Sequence, residues 1–215
     1  MTPASTAMDE EPNWLLWARE LQALAQAGLT FAQDQYDRER YRRLRAIALE
    51  MLAAGGAAPL QQLQLLFEQE TGYPTPKVDV RGAVIERDRI LLVREISDGC
   101  WTLPGGWADV NQSARESVER EILEESGYQA RALRLAAVWD ARLQNPSRRH
   151  THSIYKLFFL CELLGGSPQP SLETSEVAFF APDALPPLSL GRVTATQIER
   201  MFAHHRDATL RTEFD

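Results

Sequence analysis

Apolar residues in the first third of the chain recur every three or four positions, the period of an amphipathic helix. Trp14, Trp17, Leu21 and Leu24 predict a first helix, capped by Asn13 and stopped at Gly28. A second is predicted from near Asp34 or Asp37 to about Ala53, with Tyr41, Leu44, Ile47, Ala48, Met51 and Leu52 on its apolar face and Gly55-Gly56 behind it. A third opens at Pro59, a suitable first-turn residue, and carries Leu60, Leu63, Leu66 and Phe67 as far as Gly72. Tyr73-Pro74-Thr75-Pro76 cannot continue a helix and reads as a linker.

After Lys77 the period shortens. Residues 78–86 and 89–95 are rich in Val, Ile and Leu and read as strands joined by a turn at Arg87-Asp88. Further strands are predicted at 132–140, 152–162 and 177–180, and a last helix at 193–203. Between the second strand and residue 132 lies a helix over 113–127, with Asn111 or Ser113 as cap and Gly127 as stop. The expected organisation is a small all-α domain over 1–72 and a mixed α/β domain over 77–215.

Composition narrows the class. The 215 residues are 44% hydrophobic and 25% charged, with no apolar run near the roughly 20 residues that span a bilayer. No membrane partner is expected, and the polar stretch 1–13 lacks the pattern of a signal peptide. Cys100 and Cys161 are expected as reduced thiols of a cytoplasmic protein. A net charge of -7 argues against broad binding to duplex nucleic acid. It permits a phosphorylated small molecule, held through a bridging divalent cation.

The chemistry concentrates at the end of the predicted 113–127 helix. Glu121, Glu124 and Glu125 stand three and four apart, on neighbouring positions of a helix surface. Like charges at these spacings repel, and carboxylates at a helix C-terminus oppose its dipole. A hard cation would supply the missing charge, Mg²⁺ first and Mn²⁺ second.

Gly106, Arg120, Glu121, Ile122, Glu124, Glu125 and Gly127 stand at the spacings of the Nudix box, and Leu103-Pro104-Gly105-Gly106 also looks like that family. The resemblance covers roughly 77–205. It implies a Nudix-type α/β/α sandwich with a mixed sheet, and hydrolysis of a pyrophosphate bond. It also implies roles: Glu121 and Glu125 as metal ligands, Glu124 as a further ligand or positioner of water, the Gly105 carbonyl as an extra ligand, and Arg120 as the residue that orients the carboxylates. One position departs. Gln112 stands where the motif has its first Glu, so a charge is lost while a carbonyl acceptor is kept. Glu116 is a candidate to take over the pairing with Arg120. Candidate general bases are Glu173 and Glu176, and candidate substrate contacts are Gly106, Arg94, Arg148 and His152.

Helices ahead of such a domain resemble a bacterial two-domain subgroup with ADP-ribose-like or CDP-alcohol substrates. The expected partner is therefore a nucleoside diphosphate derivative, with nucleoside monophosphate as product. A homodimer is expected from the apolar helical stripes. Two other readings stay open: an RNA-processing enzyme, supported by the arginine run from Arg38 to Arg45, and a nucleotide-binding regulator with weakened catalysis, supported by Gln112.

Overall fold

The computed structural model describes residues 12–145 and 150–215. The chain divides into two compact units, the described residues 12–76 with 150–153 and the described residues 77–145 with 154–215.

The first unit is built from α1 (Asn13–Phe31), α2 (Gln35–Ala54) and α3 (Leu60–Glu68). Its core is Leu15, Ala18, Leu49, Leu52, Leu63 and Phe67. The stripe read for the first helix is therefore rotated. Leu15, Ala18, Gln22 and Ala25 face inward, whereas Trp17 and Leu24 are exposed. Near its C-terminal end α1 packs against α2 too closely for a side chain. A Cβ on Gly28 would lie 2.4 Å from the Tyr41 ring. Gly28 is thus a contact point and not a stop, and the helix runs on to Phe31. Its N-cap is Pro12, with Asn13 already helical. Asp34 caps α2 by accepting from the N–H groups of Tyr36 and Asp37. α3 ends at Glu68, before the expected Gly72.

The second unit contains β1 (Lys77–Glu86), β2 (Arg89–Glu95), β3 (Trp101–Thr102), α4 (Ala114–Ser126), β4 (Tyr128–Asp140), α5 (Ala141–Gln144), β5 (Ile154–Gly166), β6 (Thr174–Phe180), α6 (Ala195–Arg206) and β7 (Glu213–Phe214). Among the described residues the strands form one seven-stranded mixed sheet, ordered β3-β2-β1-β5-β4-β7, with β6 also paired to β2. β1 and β5 run parallel, and β4 and β5 antiparallel. Strand side chains alternate between faces, so each face gains its own core. Val118 and Ile122 of α4 pack on Val80, Val84 and Phe159. Ile198, Met201 and Phe202 of α6 pack on the opposite face, against Ala83, Ile85 and Phe158. This is an α/β/α sandwich.

Several bounds differ from the sequence reading. β4 starts at Tyr128 and β5 at Ile154, so His152 lies before the strand. The last helix starts at Ala195, behind a Thr194–Gln197 capping box. β3, α5 and β7 were not foreseen, since two to four residues carry no readable period. Cys100 and Cys161 are both free. Among the described residues, no helix is long and apolar enough to cross a membrane.

Candidate active site

β1 and β2 pair only at one end, Ile85 with Ile90 and Glu86 with Arg89. Where they part, the segment after β3 takes the vacated edge of β1. Val80 N–H donates to Gly106 O (2.8 Å), Gly82 N–H to Pro104 O (2.9 Å) and Ala108 N–H to Val78 O (2.9 Å). Gly105 reaches this position with φ 141°, and a Cβ there would stand 2.0 Å from Val80 O. Only glycine fits.

α4 is aimed at this segment. It begins with a full capping box, Ser113 with Glu116, and ends at Gly127 in the left-handed conformation with φ 74°. Val118, Ile122 and Glu125 share the buried face at four- and three-residue spacing. Glu125 is therefore carried under the loop, 6% exposed, and accepts from Gly105 N–H at 2.8 Å. Glu121 flanks that face, and a Cβ on Gly106 would lie 3.3 Å from its carboxyl group. Glu124 is turned further round and is exposed. The three acids thus divide, two against Gly105-Gly106 and one facing outward.

Arg120 ties them together. Its guanidinium donates to Glu124 (2.6 Å), Glu121 (2.9 Å), Asp109 (3.0 Å) and the Gln112 carbonyl oxygen (3.2 Å). Glu116 does not replace the missing motif Glu, because it is held by Ser113 N–H and Oγ, both at 2.8 Å. Asp109, which the sequence reading missed, supplies the charge instead. Gln112 keeps the acceptor role on Arg120 Nε and is itself reached by Ser117 Oγ at 3.4 Å.

Electrostatics mark the buried carboxylates. Burial pushes Glu125 up to about 8, against the opposing pull of Arg81 and the Gly105 N–H. Burial also raises Glu121, with Arg120 opposing. Beneath lies an ion pair that was not predicted. Arg81 donates to both carboxylate oxygens of Asp79, at 2.8 and 2.7 Å, and to Leu103 O at 3.1 Å. Burial disfavours both charges, but their mutual attraction outweighs it, so Asp79 is lowered and Arg81 raised. A charged Asp-x-Arg at inward positions of an apolar strand was the available signal. Glu95, also buried, is held by Arg192 at 2.9 Å, and its carboxyl is raised by burial.

The remaining predicted residues are placed as follows. Arg94 and Glu176 face each other across β2 and β6 and form a 2.5 Å ion pair. Glu173 is exposed in the turn before β6, and neighbouring Thr174 donates to Glu125 O at 2.7 Å. His152 packs in the first unit, stacked on Phe67 at 4.9 Å with Nε2 3.8 Å from Glu70. Arg148 lies outside the described residues.

A divalent cation needs oxygen donors that converge. Among the described residues, no three acidic, His or Cys side chains converge as a self-sufficient metal cluster. One buried and one half-buried carboxylate against a glycine turn still suit a hard ion. Mg²⁺ characteristically takes one or two carboxylates and fills its other positions with water and substrate phosphate.

Residues 67–201 match the NUDIX domain model, and residues 12–67 match Nudix_N, described as a UDP-X-like N-terminal oligomerisation domain. The chain belongs to the NUDIX family. With membership comes the family's reaction, hydrolysis of a pyrophosphate bond in a nucleoside diphosphate linked to another moiety, generally with a divalent metal. The chain is 42% identical over 210 residues to YjhB of Bacillus subtilis (strain 168), whose name provisionally assigns it to the ADP-ribose pyrophosphatases; this covers 95% of the chain and 98% of that protein. An ADP-ribose pyrophosphatase structure from Streptococcus suis 89-1591 superposes with TM-score 0.61 at 45% identity, over 66% of the chain and all of that structure. A UDP-X diphosphatase structure gives TM-score 0.61 at 33% identity, over 96% of the chain and all of that structure.

Proposed function

We propose that this Nudix hydrolase uses Mg²⁺ to split an ADP-ribose-type substrate, releasing a nucleoside monophosphate and a phosphorylated product. The observation that carries this reading is the convergence of Glu125 and Glu121 on the Gly105-Gly106 turn. The likeness to named ADP-ribose pyrophosphatases supports the substrate class.

Glu121 and Glu125 would hold the cation, with the Gly105 carbonyl as a further donor. Held by these groups, a divalent cation would supply charge neutralisation for the diphosphate and make a water molecule more acidic. The protein's own groups do the rest. Arg120 fixes the Glu121 and Glu124 carboxylates by hydrogen bonds, which keeps their oxygens aimed. Glu124, exposed at the rim with one carboxylate oxygen held by Arg120 at 2.6 Å, is placed to orient the attacking water through its other oxygen. Glu173, on the turn moored to α4 by Thr174, is a candidate base. Glu176 is already neutralised by Arg94, so the pair suits substrate positioning better than proton transfer. Gly106 leaves the approach to Glu121 open.

We also propose a homodimer formed through α1. Trp17, Leu24 and Phe31 recur every seven residues and are 57%, 56% and 67% exposed. Such a stripe is an apolar seam awaiting a partner.

The deciding assay is a panel of ADP-ribose, CDP-choline, nucleotide sugars and nucleoside triphosphates with Mg²⁺, beside Glu125→Gln. ADP-ribose cleavage to AMP, lost in the variant, is the expected result. Absence of turnover on every diphosphate refutes the reading.

A further inference from the structure

The arginine run of α2 divides into two sets. Arg40 and Arg43 point to one side and are matched by Asp37 (2.7 Å) and Glu50 (3.2 Å). Arg38, Arg42 and Arg45 fall within one sector of about 60° on the other side. This second set lines a cleft of about 300 Å³ inside the helical unit, together with Gln26, Thr30 and Glu70. Arg38 is spent there. It donates to the carbonyls of Leu29 (3.0 Å) and Ala32 (3.1 Å), at the electronegative end of α1. Among the described residues, no carboxylate pairs with Arg42 or Arg45.

Gln26 is hydrogen-bonded in the cleft wall. Gln26 is buried, donates to Gly72 O at 3.1 Å, accepts from Gln22 at 3.0 Å, and has its carbonyl capped by Thr30 Oγ1 at 2.9 Å. Three guanidinium groups against the single carboxylate of Glu70 make the concavity cationic, on a chain whose net charge is -7. A solvated arginine face would be convex and laced with acids, as the Arg40 and Arg43 side is. We propose that this cleft is a phosphate-binding site, in which Arg42 and Arg45 grip the phosphoryl oxygens of a small phosphorylated molecule. Guanidinium forks recognise such oxygens in pairs. The volume suits one small ligand, at the lower end of known pockets. The acidity of the chain as a whole disfavours a long polyanion.

The test uses the full chain in EDTA, so that no cation can bridge a phosphate to the acids of α4. Titration calorimetry is run with inorganic pyrophosphate and with AMP. Saturable one-to-one binding is expected, weakened at least about tenfold in Arg42→Gln/Arg45→Gln. Arg40→Gln/Arg43→Gln, which removes equal charge from the opposite side, and Glu125→Gln leave it unchanged. Tighter binding of AMP assigns the ligand to the reaction's own product class. Equal binding of both assigns a phosphate group from another source. Circular dichroism confirms that both double variants keep their helix content. The proposal is overturned if neither ligand saturates at millimolar concentration, or if both double variants lose affinity equally.

Discussion

Glu125→Gln should make the metal-free protein more stable at alkaline pH, although it removes a residue of the active site. Glu125 titrates near pH 8 in the fold and near 4.5 when unfolded. Between those values the folded protein keeps a proton that the unfolded chain has lost. Stability must then fall as pH rises, by about 1.4 kcal/mol per pH unit, and level off above pH 8. Across the window the penalty is about 3–5 kcal/mol. Glutamine cannot ionise, yet its carbonyl oxygen can still accept from Gly105 N–H. Urea unfolding in EDTA from pH 5 to 8.5 reads the effect. Glu121 and Glu95 are also raised and are present in both proteins, so the difference curve reports Glu125 together with its coupling to these two acids. The two proteins should be similar near pH 5 and diverge towards pH 8, with the variant higher by about 2–4 kcal/mol. Parallel curves, or a variant that is the weaker at pH 8, would refute the assignment of a buried, uncompensated carboxylate.

Other perturbations follow from the same geometry. Arg81→Met leaves the buried Asp79 carboxylate with Lys156 at 4.0 Å in place of two direct guanidinium bonds and should cost about 3 kcal/mol in urea unfolding, while Asp79→Asn/Arg81→Met recovers part of that loss. Gly106→Ala places a methyl group against the Glu121 carboxyl and should lower kcat by about tenfold or more, with unfolding changed by less than about 1 kcal/mol. Trp17→Glu/Phe31→Glu should convert a homodimer to monomer in light scattering, and a wild-type protein that is already monomeric refutes the α1 seam.

The helix of the site was legible because its signals agree. A capping box, a Gly stop, apolar 118 and 122, and a fixed spacing of acids all specify one helix with one face. What the spacing could not show was how that face is turned. Adjacent Glu124 and Glu125 look alike in sequence, yet one is exposed and the other sits beneath the loop. That difference depends on which residues the sheet covers, a long-range matter. The partners of Arg120 were hidden for the same reason. Glu116 satisfies the local spacing rule but is consumed by Ser113, and Asp109 reaches Arg120 only because its loop folds back. In α1 the stripe that stands out in the sequence is one of large residues, Trp14, Trp17, Leu21 and Leu24, which suits a core or a dimer seam equally. The close α1–α2 contact at Gly28 and Tyr41 leaves no room for a side chain, and Trp17 stands outside.

The acidic turn of α4 meets its charge problem in two ways, and the difference has a measurable consequence. At Glu121 and Glu124 the single charge of Arg120 is shared through direct hydrogen bonds to both carboxylates. On the inner side Glu125 is kept neutral by a proton at pH 7, since burial holds its pKa near 8. A cation arriving at the turn must take the place of that proton, whereas the guanidinium can stay and release only part of its grip. Metal binding at pH 7 should therefore expel close to one proton per ion. Calorimetric titration with Mg²⁺ in two buffers of different ionisation enthalpy measures it directly. The proton count should fall towards zero above pH 8.5 and be abolished at pH 7 by Glu125→Gln. Binding with no proton release at pH 7 would mean that Glu125 is already ionised in the empty fold, and that Arg81, not a proton, balances it.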